Sequence, residues 1–219
     1  MNSFPKMRQP EGSLVCGPYC LVACLQAFEL LPLTSSIELN KYNNFDKTFN
    51  GGLVTLNLDH DFLELALELY KITGIITPGH NPDYIEHSGY NSLGAMLYVL
   101  GKFGLNCEVV INNNKTLMEL NNVFPIEFEL IESLKTPICI LGEQESTPSG
   151  TVLISVLSAN DSLHYVINNS IGEWLDTDIE NGNTHWDFIE KWRTTNNKRS
   201  DATWIGVSIR VSPINIDQF

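Results

Sequence analysis

Cys16 is followed at once by Gly17 and Pro18, and then by the apolar, helix-compatible run Tyr-Cys-Leu-Val-Ala-Cys-Leu-Gln-Ala-Phe28. Proline suits the first turn of a helix, where its missing N–H would have no partner and its φ is already set, so Cys16 is expected at a helix N-terminus. Unpaired N–H groups and the helix dipole favour an anion there, and the anion of cysteine is its nucleophilic form. A base is available far downstream. His164 opens the strand-like run His-Tyr-Val-Ile-Asn168, and Asp178 closes Trp-Leu-Asp-Thr-Asp178. If the connection is the turn Ser170-Ile171-Gly172, with Gly172 supplying a positive φ, Asn169 pairs with Glu173. His164 then stands opposite Asp178, with Asp176 on the same face one diagonal away. A carboxylate beside an imidazole fixes its tautomer and stabilises the imidazolium that a thiol-activating base becomes. Cys16, His164 and Asp178 thus form a nucleophile, a base and an orienter. Gln9 could bring its side-chain amide near the Cys16 N–H, giving two donors for the oxyanion of a tetrahedral intermediate.

Each of these residues has a blander reading. A lone cysteine is usually a small core hydrophobe, the reading given to Cys20, Cys24, Cys107 and Cys139. Cys16, Cys20 and Cys24 stand four residues apart along one helical stripe. That spacing matches neither zinc nor iron–sulfur patterns, so no metal or other cofactor is expected. His60, His80, His87 and His185 lie in polar surroundings and need no special role, and Trp174 and Trp192 read as packing residues.

The chain of 219 residues carries 13 basic and 26 acidic side chains, for a formal charge of -13. Such a balance repels nucleic-acid phosphates and anionic membrane surfaces, so neither is expected as a partner. Residues Met1 to Glu11 contain no signal-peptide core, and no apolar run has the length of a membrane span. A cytoplasmic location follows as the expectation, secretion by a signal-less route being compatible with it. Five cysteines, three of them at helical spacing, suit a reducing compartment.

The elements that must position the candidate residues read in order. Glu29 to Asn50 is loop-rich, and an amphipathic helix runs from Asp59 or Asp61 to Ile72, ending at Gly74. Thr77 to Gly89 is an irregular surface loop. A helix capped by Asn91 or Ser92 continues through Leu100, and a strand covers Leu105 to Ile111. After a turn at Asn112 to Asn114, a helix over Phe124 to Lys135 has Pro125 in its first turn, and Pro137 to Leu141 is a short buried strand. Thr151–Leu157, Leu163–Asn168 and Trp174–Asp178 form an antiparallel meander. Thr184 caps a helix through Phe188, Ile189 and Trp192, and Thr203–Val211 is the last strand. Helices first and sheet second give an α+β fold.

Gln9-x6-Cys16-Gly-Pro, with His164-Tyr-Val and a strand ending in Asp178 far downstream, resembles the papain-like cysteine peptidases, and among them the C39-like peptidases. Leu134-Lys-Thr-Pro-Ile-Cys-Ile-Leu141 is similar to that family's strand before the histidine. Trp174-Leu-Asp-Thr-Asp178 is similar to its Trp-Tyr-x-x-Asp segment, and Phe188-Ile-Glu-Lys-Trp192 to its late helix. The chain departs from the pattern where Gln9 stands seven residues before Cys16 rather than six, and where Ile179 replaces proline after the aspartate. The resemblance implies one papain-like domain over residues 1–219, with N-terminal helices (a lobe to about residue 135) packed on a C-terminal antiparallel sheet (from about 136). It implies Cys16, His164 and Asp178 as the triad, Gln9 at the oxyanion, and a peptide or protein substrate.

The expected function is hydrolysis of a peptide or isopeptide amide. The same triad would serve a glutamine deamidase, a transglutaminase or an acyltransferase, such as a bacterial effector. A non-enzymatic alternative is a binding module with a degenerate triad. The loops Glu29–Leu53, Ile75–Gly89 and Glu143–Gly150 would shape a substrate pocket.

Overall fold

Leu21, Val22, Ala23, Cys24, Leu25 and Ala27 of the first helix, α1 (Cys16–Ala27), have no exposed surface. The computed structural model describes residues 1–78, 82–86, 88–141, 148–160, 162–180 and 182–214. His80, His87 and residues 143–147 of the third loop lie outside them. A helix apolar on every side must be enclosed. Here α1 packs against α2 (Phe62–Thr73), α3 (Leu93–Lys102) and the sheet strand β8 described below. Asp61 closes a capping box with Glu64 at the start of α2, and the Ser92 side chain accepts the Ala95 N–H at the start of α3.

The loop-rich stretch before α2 contains a small hairpin, β1 (Ile37–Asn40) with β2 (Leu53–Leu56), and β3 (Gly74–Ile76) pairs with β4 (Tyr90–Asn91) ahead of α3. After α3 come β5 (Leu105–Ile111), α4 (Asn114–Val123), α5 (Pro125–Ser133) and β6 (Ile138–Ile140). The rest of the chain supplies β7 (Val152–Ala159), β8 (Ser162–Asn169), β9 (Glu173–Leu175), β10 (Asn183–His185) and β11 (Ala202–Pro213). Seven strands form one sheet in the order β10-β9-β8-β7-β11-β5-β6, antiparallel except for β5 with β6. The fold is mixed α+β. One face of the sheet packs through Val109, Ile154, Ile167 and Ile209 on the helices, and the other buries Val110, Leu153, Val166 and Trp174 with Ile189 and Trp192. Both faces being covered, β7 is buried along almost its whole length.

Four sequence expectations are corrected. The turn at Asn112 to Asn114 leads into a helix that was not expected, α4, which Asn113 caps by accepting the Thr116 N–H at 2.9 Å. Of α4 only Thr116 is buried, with Leu117 and Leu120 half-buried against the core. The Pro137–Leu141 strand is the sheet's outer edge, with Ile138 exposed. No helix starts at Thr184, which lies in β10 opposite Trp174. A single 3₁₀ turn, Ile189–Lys191, suffices to bury Ile189 and Trp192 against Trp174. Finally, β9 stops at Leu175 and does not reach Asp178. Among the described residues, no helix is long and apolar enough to cross a membrane.

Candidate active site

Cys16 is the first helical residue of α1, where a backbone N–H has no acceptor within the helix. Asn91 fixes this tip. Its Nδ2 donates to the Leu14 carbonyl at 2.6 Å and stands 3.8 Å from the Cys16 Sγ, while its Oδ1 accepts the Thr73 hydroxyl at 2.8 Å. The Tyr165 hydroxyl donates to the Asn91 carbonyl at 3.2 Å. Gly17 makes this contact possible, because a Cβ there would lie 2.8 Å from the Asn91 Cγ.

The hairpin that carries the base has the register derived from its turn. Asn168 pairs with Trp174 and Ile167 with Leu175, and Gly172 has φ +82°. Beyond Leu175 the ladder with β8 ends, the Asp176 N–H donates to the Gly182 carbonyl at 2.8 Å, and the chain curls into a turn. The curl draws Asp176, one diagonal from His164, onto the imidazole, and Asp176 Oδ1 is 2.7 Å from His164 Nε2. Asp176 is therefore the residue that meets His164, and Asp178 is not. Asp178 contributes its backbone N–H to Asp176 Oδ1 at 3.0 Å, and its carboxylate turns to the rim.

Arg199 holds this end of the site together. It is 7% exposed, donating from Nη1 to Asp176 Oδ2 at 2.8 Å, from Nη2 to Asp178 Oδ2 at 2.7 Å and from Nε to Asp201 Oδ1 at 2.8 Å. Burial alone would raise the Asp176 carboxyl, but the hydrogen bond and charge of His164, with the charge of Arg199, hold it below its ordinary value. An ionised carboxylate accepts only, so His164 Nε2 carries a proton, and Nδ1 is the nitrogen left for the thiol. Burial disfavours the imidazolium. The hydrogen bond to Asp176 outweighs it, together with the nearby Cys16 sulfur and the negative charge of both groups, and pushes His164 up to about 10.

Gln9 is tied to the same turn. Its N–H donates to the Thr177 carbonyl at 2.9 Å, and its Oε1 accepts the Thr177 hydroxyl at 2.9 Å. With Oε1 so engaged, Nε2 is the donor end and donates to the Ser13 carbonyl at 3.5 Å, an amide having a second N–H besides. Gln9, Cys16, Asn91, His164 and Asp178 all line one cavity of about 760 Å³, closed on its far side by α4, α5 and β11. Cys20 and Cys24 are buried in the core behind the tip, and burial pushes both thiols well up. Cys107 and Cys139 are half-buried. Trp174 has no exposed surface, and its Nε1 donates to the Trp186 carbonyl at 3.1 Å.

Sequence reasoning missed Asn91 as a partner of the thiol, having seen it only as a helix cap, and missed Thr177 and Arg199 altogether. Nothing local marks Arg199, because the carboxylates it joins are distant in sequence except Asp201. Comparison of the chain with protein-family models, with curated proteins and with solved structures found no significant match in any of the three.

Proposed function

We propose that this protein is a papain-like cysteine hydrolase that cleaves an amide bond of a peptide or protein. One observation carries the reading: the buried Asp176 carboxylate holds His164 at 2.7 Å, and Cys16 and His164 line one cavity, close enough for the sulfur to favour the imidazolium. Transfer of the thiol proton to Nδ1 gives a thiolate and an imidazolium, the second stabilised by Asp176. The thiolate attacks the carbonyl carbon, and the oxyanion is met by the Cys16 N–H and the Gln9 Nε2–H. As the C–N bond breaks, His164 returns its proton to the leaving amine, and the acyl group stays on sulfur. His164 then takes a proton from water, the hydroxide displaces the thiolate, and a carboxylic acid leaves.

The test is alkylation of the folded protein by iodoacetamide at neutral pH, mapped by mass spectrometry, together with cleavage of a peptide library. Preferential modification of Cys16, and loss of cleavage in Cys16→Ala, is the expected result. Faster modification of Cys107 or Cys139 would overturn it. Release of ammonia without new peptide termini would move the assignment to a deamidase using the same residues.

A further inference from the structure

Behind the thiol the cavity wall is largely apolar, with Leu93, Leu120, Phe124, Phe128 and Ile131 among its residues. One carboxyl interrupts it. Glu127, on α5, lines the cavity and is 7% exposed. Its Oε2 accepts the Gly94 N–H at 2.7 Å, but its Oε1 is buried with no hydrogen-bond partner. Two hydroxyls act on the carboxyl, those of Ser92 and Tyr84. Tyr84 donates its proton to the Ile126 carbonyl at 2.6 Å, and Ser92 accepts the Ala95 N–H at 3.0 Å, neither reaching Oε1 at hydrogen-bond distance.

Oε2 shares the capping of α3 with Ser92, taking the Gly94 N–H while Ser92 takes that of Ala95, and this leaves Oε1 without a role in the cap. The cavity's own cation, the His164 imidazolium, is held by Asp176. Among the described residues that line the cavity there is no lysine or arginine, and Asp178 adds a second carboxylate. Burial pushes Glu127 up to about 6, with the Gly94 N–H first among the groups opposing it, so the carboxyl is mostly ionised at neutral pH at a cost that a cationic donor would offset. Glu127 and Cys16 both act on the Tyr165 hydroxyl, which places the carboxyl and the thiol in one electrostatic neighbourhood.

We propose that Glu127 is the specificity-determining residue of this site and takes the cationic end of a lysine- or arginine-like side chain of the substrate. The inference rests on the hydrolase reading above. In a bound complex the ammonium or guanidinium supplies the N–H donor and the positive charge that the Glu127 carboxylate lacks, while the methylenes of the side chain lie along the leucine and phenylalanine wall. The Glu127 carboxylate binds and chooses, and takes no part in bond making.

The test uses peptidyl acyloxymethyl ketones that alkylate Cys16, in pairs differing only by arginine against citrulline at either of the two positions next to the reactive group. In the native protein the arginine probe is expected to inactivate faster by about 10- to 100-fold, the range of one charge-assisted hydrogen bond in a desolvated site. In Glu127→Gln, which keeps an acceptor for the Gly94 N–H, the ratio falls to about one while the citrulline probe still reacts. A ratio of about one in the native protein, or an unchanged ratio in a folded Glu127→Gln, overturns the inference. If that variant does not fold, the native ratio decides alone. Iodoacetamide separates the two layers: Cys16 labelled without discrimination between arginine and citrulline sinks only the role of Glu127, whereas an unreactive Cys16 sinks both.

Discussion

Asp176→Asn tests the division of labour between two neighbouring aspartates. Asp176 has no exposed surface and accepts from His164 Nε2 and the Asp178 N–H on one oxygen and from Arg199 Nη1 on the other. An amide keeps one acceptor, so its NH₂ must face either the imidazole or the guanidinium, donor against donor. A buried charged hydrogen bond contributes about 1.5–3 kcal/mol, and breaking a buried ion pair costs about 3–5. Arg199 keeps Asp178 and Asp201, whose side chains are 47% and 43% exposed, which offsets part of that loss. A stability loss of about 2–4 kcal/mol follows, with a fall in kcat/KM of about 10²- to 10⁴-fold as the imidazole loses its orienting charge. The parallel change, Asp178→Asn, removes a partner at the rim and costs about 1 kcal/mol or less. The assays are thermal unfolding, kcat/KM on a cleaved peptide, and NMR titration of the His164 ring, whose pKa drops in Asp176→Asn and stays in place in Asp178→Asn. Equal loss of activity in both variants, with an unmoved imidazole in Asp176→Asn, would refute the assignment.

Other outcomes are expected. The folded protein holds a proton on His164 that the unfolded chain releases above its ordinary 6.5, so this stabilisation is complete below pH 6.5 and disappears as the pH rises to about 10. Stability should therefore decline across that window in the native protein and not in His164→Gln, as measured by urea midpoints at several pH values. Gln9→Ala should lower kcat by about 10²- to 10³-fold while Cys16 stays reactive to iodoacetamide, the mark of a lost oxyanion donor. Gly17→Ala places a methyl group 2.8 Å from Asn91 Cγ and 3.1 Å from Met96 Sδ. It should cost about 1–3 kcal/mol and slow Cys16 alkylation, read by thermal unfolding and mass spectrometry.

The parts of the site that were legible in the sequence are those that local chemistry dictates. Gly-Pro after Cys16 places it at a helix tip, and Gly172 sets the register that aligns β8 with β9. The error over Asp178 arose because the ladder was extended past Leu175. Past Leu175 the backbone bond from Asp176 to Gly182 continues the pairing of β9 with β10 and not with β8. Gly182 could have been read as a turn signal, having φ +65°, but not the curl that it closes. Helix α2 was readable from its apolar period and capping box, whereas α4 was missed although Leu117 and Leu120 stand at helical spacing after the Asn113 cap. Arg199 and Glu127 were invisible for a common reason: their role comes from burial, and burial of a charged side chain is decided by what folds over it.

The position of β11 has a consequence for how the protein is made. This last strand lies between β7 and β5, and its Ile205 and Val207 line the cavity. Until it is inserted, the sheet is in two pieces, and the segment carrying Arg199 that precedes it is not yet in place. A ribosome releases the chain from its N-terminus, so the cysteine emerges long before the partners that would arm it. A nascent chain, or one cut before β11, therefore holds Cys16 beside a sheet still in two halves.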